Sequence, residues 1–255
     1  AYGGLPHPNV LGGYLVVALA VLIYIWQKGQ PKDSPWLRTV LWTTMPILIT
    51  GIFFSFSRAA WIGAVIVMVY WTIQVFRHSE RSKESLAHAS THIRVRSLVT
   101  LGMTILYVVL LTILYRPLVT ARLFPESRLE VKSRVERAQG VGEAWQIIKA
   151  HPFGGVGIGN YTQALRQLRP NQPLYAYQPV HNVPLLVFAE LGIVGLLFFV
   201  TALYLIVKQS TSTVLLSGCF AVLLLADHYL WTLPFGIFIS WPILGLFTII
   251  HRPRT

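Results

Sequence analysis

Residues Val183–Val207 have the sequence VPLLVFAELGIVGLLFFVTALYLIV, an apolar run of 25 residues in which Glu190 is the only charged side chain. A transmembrane helix needs about 20 predominantly apolar residues, because the hydrocarbon core is roughly 30 Å thick. This stretch is therefore long enough to cross a bilayer, and it indicates an integral membrane protein.

Further apolar stretches extend the pattern, so we predict an all-α, polytopic transmembrane helical bundle with about seven spans. The predicted spans are Val10–Trp26, Leu37–Phe54, Ala59–Phe76, Leu98–Tyr115, Val183–Val207, Val214–Trp231 and Phe235–Ile250. Only Ser55–Arg58 separates the second span from the third, and only Thr232–Pro234 separates the last two. Both connections are predicted to be tight turns.

The composition of the whole chain agrees with this class. Apolar residues make up 54% and charged residues 12% of the 255 residues, and the mean hydropathy is +0.58. A soluble domain carries about 25% charged residues. These values exclude a cytosolic enzyme, a disordered chain and a disulfide-stapled module, and the lone Cys219 has no partner for a disulfide.

The distribution of basic residues predicts the orientation. The net charge of +12 is explained in part by basic cytoplasmic loops, without a nucleic-acid partner. Basic residues concentrate in Gln27–Trp36, in His78–Arg96, around Lys208 and after the last span, and seven spans place all of these on one face. That face is cytoplasmic by the positive-inside rule. The long loop Arg116–Asn182 is then outside the cytoplasm.

We interpret residues 1–255 as a single membrane domain with the loop 116–182 inside it. Because the chain begins at Ala1 with loop-like residues, we expect it to be the C-terminal part of a longer protein. Within the loop, Ser133–Ala150 predicts an amphipathic helix that His151-Pro152 ends, since proline lacks an amide hydrogen. Its predicted apolar face carries Val135, Val141, Trp145 and Ile148.

Unusual polar residues gather toward the predicted outer face. They are His7, Asn9, Arg58, Arg137, His181, Asn182, Glu190, Asp227 and His228. Ionisable groups within spans are costly and usually face a cavity, so these residues are candidates for a functional site.

Each candidate also has a structural interpretation. Arg58 is explained equally by snorkelling to phosphate headgroups, and Glu190 by a buried pairing with an arginine. His181 is explained as an interface residue, and Asp227-His228 as part of an aromatic belt. The convergence of all of them on one face favours a site.

The segment His151–Asn160 carries four glycines within six residues, which can expose backbone amides to an anion. No predicted strand precedes it and no Gly-Lys-Ser/Thr follows it, which disfavours a nucleotide-binding loop. Two interpretations stay open: a Gly-rich turn between two helices, and a diphosphate cradle that includes Gly155 and Gly157.

Together these motifs resemble the O-antigen ligase and O-antigen polymerase superfamily over nearly the whole chain. Ser57-Arg58-Ala59-Ala60-Trp61 resembles its Ser-Arg-x-x-Trp signature, and Arg137 followed by a tryptophan-bearing helix and His151–Asn160 resembles its outer loop. His181-Asn182 with Ala189–Gly192 resembles the exit from that loop. His7-Pro8-Asn9 resembles a motif that leads into an earlier span.

The resemblance implies a metal-independent, inverting glycosyltransferase in the plasma (inner) membrane, with its active site outside the cytoplasm. It would need no cofactor and no nucleotide sugar. Its partners would be a polyprenyl-diphosphate-linked glycan donor, a glycan or glycolipid acceptor and the lipid bilayer, but no nucleic acid. Ligase and polymerase stay open. A transporter or flippase for a polyprenyl-linked or anionic substrate is the alternative, and a non-enzymatic scaffold is a third reading.

Roles follow from the chemistry that this reaction requires. Arg58 and Arg137 would stabilise the diphosphate leaving group, because the arginine fork matches phosphate oxygens. His181 would act as the general base. Arg134 is an alternative to Arg137. Candidates for substrate binding are Glu190, Asn182, Gly155, Gly157, Asp227 and His7.

The predicted orientation can be tested by cysteine labelling. Gln167→Cys, in a Cys219→Ser background, should react with an impermeant thiol reagent in intact spheroplasts. Labelling that appears only after lysis would overturn the orientation.

Overall fold

A computed structural model describes residue 5 and residues 7–28, 35–81, 87–124, 128–208 and 211–238. Within these ranges every regular element is helical, which agrees with the predicted all-α class. The chain divides into two compact units, Ala1–Pro125 and Glu126–Thr255. The boundary lies inside the long loop predicted over 116–182, and the interpretation as one domain stays a prediction.

The first unit contains five helices within its described residues: α1 (Pro8–Lys28), α2 (Pro35–Phe54), α3 (Arg58–Arg81), α4 (Ala87–Leu114) and α5 (Arg116–Leu123). Helix α1 packs against α2 and α3, and α3 packs against α4. Gly12 allows the approach of α1 to α3, because a Cβ there would lie 2.7 Å from the Ala60 Cβ and 2.8 Å from the Ser55 hydroxyl oxygen. The packing therefore depends on a glycine at this crossing.

The second unit contains, within its described residues, α6 (Arg128–Ala150), α7 (Tyr161–Leu168), α8 (Val183–Val207), α9 (Thr211–Ala226) and the single turn α10 (Tyr229–Thr232). Helices α6 and α7 pack against the first half of α8 around an apolar core. That core includes Ala144, Ile147, Tyr161, Leu186 and Ala189. This core packs the C-terminal part of α6 against the N-terminal part of α8.

The predicted loop helix is present, but of its predicted apolar face only Ile148 is buried. Helix α6 ends at Ala150, directly before the predicted stop. Its buried face carries Glu143, Ala144, Ile147 and Ile148, whereas Val135, Val141 and Trp145 are exposed. Glu143 joins this face through an ion pair with Arg169 at 2.9 Å, which hydrophobic periodicity does not register.

Helix α8 is interrupted at Gly192, which has φ +66° and ψ −169°. The Gly-rich segment lies against this interruption. The Val156 amide donates to the Ala189 carbonyl at 3.0 Å, and the Ile193 amide donates to the Pro152 carbonyl at 2.9 Å. A Cβ on Gly192 would collide with the Phe153 carbonyl, so only glycine fits.

Helices α1 to α4 and α8 overlap the first five predicted spans, although length and composition support fewer crossings. Within the described ranges, Val183–Val207 is long and apolar enough to span a membrane. A second candidate arises if Leu101–Leu114 and Arg116–Leu123, which meet at 89°, form one broken span. Shorter apolar helices are Pro8–Tyr24, Thr43–Phe54, Arg58–Gln74 and Ser217–Ala226. The seven-span bundle stays a prediction.

The last two predicted spans differ from the structure or lie partly outside it. The span predicted over Val214–Trp231 is not continuous, because α9 ends at Ala226. The Asp227 carboxylate accepts the His228 amide at 2.8 Å, a local bond that competes with helical hydrogen bonding. Residues 235–238 of the span predicted over Phe235–Ile250 are helical, and the remainder lies outside the described residues.

The interruption of α8 predicts a mutational asymmetry. Gly192→Ala should lower the free energy of unfolding by at least about 1–3 kcal/mol, from positive-φ strain alone, and the collision with Phe153 adds to this. Gly142→Ala is the matched control, because a Cβ there meets nothing within 4 Å and alanine favours helix. Thermal unfolding in detergent measures both, and equal stability of the two variants would contradict the interpretation.

Candidate functional site

His181 and Asp227 form the central contact of the second unit. The Nδ1 atom of His181 lies 3.0 Å from Oδ1 of Asp227, although 46 residues separate them. Asp227 is buried, whereas the His181 side chain is 31% exposed. With Asp227 ionised and His181 neutral, the carboxylate accepts from Nδ1–H and Nε2 keeps a lone pair. The pair can therefore present a basic nitrogen to a substrate.

His228 extends this pair toward α10. Its Nδ1 lies 2.7 Å from the Thr232 hydroxyl oxygen, and its ring centroid is 5.1 Å from that of His181. Ligand atoms of His181, Asp227 and His228 all lie within 4.8 Å of one another. Two imidazoles and a carboxylate are donors that zinc accepts, so these residues could hold such an ion. Metal independence accordingly stays a prediction.

Asn182 has a structural position beside the histidine. It is the N-cap of α8, and its side-chain oxygen accepts the Leu185 amide at 2.9 Å. Its side-chain nitrogen lies 3.4 Å from the Leu225 carbonyl oxygen on α9. Both ends of the amide thus bind the protein itself, which gives the predicted substrate-binding role no support from this geometry.

Glu190 lies at the wall of a cavity of about 510 Å³. It is buried, and one of its carboxylate oxygens accepts the Trp231 indole N–H at 2.9 Å. Tyr161 and Thr232 also line the cavity. Thr232 connects it to His228, so the cavity and the His181–Asp227 pair are neighbours through one hydrogen-bonded residue.

The two glycines predicted to bind substrate have their amides occupied by the protein. The Gly155 amide donates to the His151 carbonyl at 3.1 Å, and the Gly157 amide donates to the Glu190 carbonyl at 2.8 Å. This bonding argues against a diphosphate cradle at these residues. It favours the other interpretation, a Gly-rich turn, which here packs against the interrupted helix.

Arg137 lies on α6 and is half-buried, whereas the alternative Arg134 is exposed. It precedes the buried Ala144 by two helical turns on the same side of the helix. Among the described residues, no carboxylate lies within ion-pair distance of the Arg137 guanidinium. These observations favour Arg137 as the arginine available to an anion.

Arg58 belongs to the first unit, where it is the first residue of α3. Ser57 caps the helix, since its hydroxyl accepts the Ala60 amide at 3.3 Å. The Trp61 indole N–H donates to the Ile52 carbonyl at 3.1 Å, and Arg122 Nε donates to the Phe56 carbonyl at 2.6 Å. The hairpin is thus tied down on both sides of an arginine at a helix N-terminus, where anions are favoured.

His7 also belongs to the first unit and caps a helix. Its Nδ1 accepts the Asn9 amide at 3.1 Å, and Pro8 occupies the first position of α1. The ring therefore organises the start of the helix. Substrate binding by His7 stays a prediction.

Sequence reasoning missed Trp231 and Thr232 as parts of the site. The sequence marked Trp231 only as the end of a predicted span, yet its indole N–H bonds the Glu190 carboxylate from 41 residues away. The available signal was the polar pair Asp227-His228 inside an apolar stretch. Such a pair predicts that the helix ends there, and that side chains near the helix end face the protein interior.

Comparison with known proteins gives the family. The sequence profile of the O-antigen ligase family matches residues 43–200, which is more than half of the chain. The chain belongs to the O-antigen ligase family. The matched range of this O-antigen ligase family member contains Arg58, Arg137, His181 and Glu190.

A curated relative is the General O-oligosaccharyltransferase of Acinetobacter baylyi, which is 24% identical over 82 residues. The match covers 32% of this chain and 14% of that protein, so the chain corresponds to a small part of the relative's length. No solved structure matches the chain.

The N-cap geometry allows a test of whether Asn182 stabilises α8 or binds substrate. Asn182→Ala should lower the free energy of unfolding by about 0.5–2 kcal/mol, the usual loss for an N-cap, and Asn182→Ser should retain most of it. Thermal unfolding measures the effect. If Asn182→Ala keeps full stability but loses activity, Asn182 contacts substrate instead.

Proposed function

We propose that this protein transfers a glycan from a polyprenyl diphosphate to a sugar hydroxyl at the outer face of the plasma membrane. The observation that carries the proposal is the 3.0 Å contact between His181 and Asp227 in a chain of the O-antigen ligase family. A hydroxyl acceptor needs a base near neutral pH, and an imidazole oriented by a carboxylate supplies one. Asp227 is a positioning residue, because it acts through His181.

The reaction balances as a single displacement. The acceptor oxygen attacks the anomeric carbon, and its proton passes to Nε2 of His181. The bond from the anomeric carbon to the diphosphate oxygen breaks, and its electron pair leaves with the diphosphate. Attack opposite the leaving group inverts the anomeric centre. The resulting imidazolium is stabilised by the adjacent Asp227 carboxylate.

We assign stabilisation of the leaving group to Arg137 and Arg58, and a separate structural observation supports each of them. Arg137 supports the assignment because it is half-buried and has no carboxylate partner among the described residues. Arg58 supports it because it lies at the N-terminus of α3. A guanidinium places two parallel N–H groups on phosphate oxygens, where negative charge develops as the bond breaks.

An apolar groove in the first unit suits the polyprenyl chain. It has a volume of about 690 Å³ and is lined almost entirely by apolar side chains, including Phe53, Trp61, Val119 and Leu123. Arg58 lies one helical turn before Trp61. A lipid tail in this groove would thus have its diphosphate end beside an arginine within the same unit.

A transporter or flippase is the alternative, and reconstitution separates it from an enzyme. Purified protein in proteoliposomes should convert lipid-linked glycan and a soluble or lipid acceptor into a new glycoside. Movement of intact lipid-linked glycan without a new glycosidic bond would indicate transport. In cells lacking the gene, loss of long polymer would indicate a polymerase, and polymer retained on the lipid would indicate a ligase.

The His181–Asp227 pair predicts that substitution of either residue lowers turnover to a similar extent. His181→Ala and Asp227→Asn should each lower turnover by about 10²–10⁴-fold, the usual contribution of a positioned general base. Proteoliposome turnover measures this, with His88→Ala in the predicted cytoplasmic segment as the control. EDTA should leave wild-type turnover unchanged. Wild-type activity of His181→Ala would remove the base role, and loss of activity in EDTA would show that the His181, Asp227 and His228 group needs a metal.

The fork geometry of arginine predicts that Arg58→Lys loses most activity, by at least about tenfold, because an ammonium cannot bind a diphosphate bidentately. Arg116→Lys is the matched control, since Arg116 is an exposed arginine at the start of α5. Donor consumption at saturating acceptor measures the effect. Full activity of Arg58→Lys would return Arg58 to a snorkelling role.

A further inference from the structure

The cavity beside Glu190 has the size of a small-molecule site. Its volume of about 510 Å³ lies within the roughly 300–1,000 Å³ that is usual for such sites. It is lined by parts of the Gly-rich segment, α7, α8 and α10, including Gly159, Thr162, Glu190, Trp231 and Thr232. All of these belong to the second unit. The catalytic roles proposed above do not use this space.

The Glu190 carboxylate is held firmly at the wall of this cavity. The Gly157 amide donates to its backbone carbonyl at 2.8 Å, and the Trp231 indole N–H donates to its Oε2 at 2.9 Å. Among the described residues, this indole is the side-chain donor bonded to the carboxylate. A carboxylate has about four acceptor positions, so it retains capacity for donors from a ligand.

The remaining wall supplies an aromatic face and hydroxyls. The Trp231 ring is fixed edge-to-face against Phe199, with the centroids 6.0 Å apart. The Tyr161 hydroxyl turns toward the Gly140 carbonyl, and burial raises its pKa, so Tyr161 offers its ring to the cavity and stays protonated. A pyranose has C–H groups on its faces and hydroxyls on its rim. This wall therefore matches an uncharged sugar ring.

Charge decides which part of the substrate fits. Among the described lining residues, Glu190 is the one charged side chain, and no lysine or arginine is present. A buried carboxylate repels a second anion strongly because the local dielectric is low. With Glu190 ionised and no basic side chain among the described lining residues, the cavity disfavours the diphosphate and acidic sugars.

The position of the cavity points to the acceptor. Thr232 lines it and its hydroxyl contacts His228 Nδ1 at 2.7 Å, while the Asp227 carboxylate accepts the His228 amide and contacts His181. Thr232 and His228 therefore link the wall of the cavity to the His181–Asp227 pair. We propose that this cavity is the subsite for the terminal, uncharged sugar ring of the acceptor, an inference that rests on the proposed transferase function.

The test compares two acceptor probes that differ by one carboxylate, octyl glucoside and octyl glucuronide, with lipid-linked glycan as donor. The wild-type protein should favour the glucoside by at least about tenfold in kcat/KM. Glu190→Gln keeps the side-chain size but removes the charge. It should raise the KM for the glucoside by about tenfold, leave the donor KM within about threefold, and bring the ratio for the two probes toward one.

Glu136→Gln is the matched control, because it removes the same charge from a carboxylate that is 61% exposed on α6. It should change neither the probe ratio nor the acceptor KM. A changed donor KM in Glu190→Gln with an unchanged acceptor KM would overturn the inference and assign the cavity to the donor. An unchanged probe ratio in that variant would also overturn it.

The wild-type protein alone provides a second measurement if Glu190→Gln does not fold. Equal kcat/KM for glucoside and glucuronide in the wild type would overturn the acceptor subsite. Transfer to neither probe nor to any native acceptor would instead contradict the proposed function, so the two failures are distinguishable.

Discussion

The interruption of α8 at Gly192 is the constraint on which the second unit depends. In an unbroken helix the Ala189 and Glu190 carbonyls would accept amides from the next turn of the same helix. Here the Val156 and Gly157 amides replace those donors, and the Ile193 amide reaches the Pro152 carbonyl. Unpaired backbone groups are especially costly in an apolar setting, so the break exists only because the Gly-rich segment satisfies it.

This arrangement explains the glycines without assigning them a ligand. Positive φ angles at Gly155, Gly157 and Gly159 let the segment turn sharply, and a Cβ on Gly155 would collide with the Glu190 backbone. The same contacts fix the start of the Glu190 side chain. The segment His151–Asn160 resembles an anion-binding loop in sequence. In the structure its amides instead bond the backbone around the buried Glu190 and fix the position of that residue.

A second break, after α9, creates the other half of the site. Asp227 leaves the helix, accepts the following amide, and thereby lies within hydrogen-bonding distance of His181. Both breaks place ionisable groups at helix ends, where backbone polarity and neighbouring side chains offset the cost of burial. This is the physical reason that polar residues in apolar stretches marked the site.

The sequence by itself determined the helical class, the bounds of α1, α2 and α8 to within two residues, the family motifs and most of the polar residues of interest. Apolar runs and proline positions are local signals, and the end of α6 before His151-Pro152 shows how reliably they act. Only the tertiary structure decided the partners. The contacts of His181 with Asp227 and of Glu190 with Trp231 join residues 46 and 41 positions apart, and no local periodicity specifies such pairs. The place of Glu143 on the buried face of α6 likewise depends on a distant residue, because the Arg169 guanidinium lies 2.9 Å from its carboxylate.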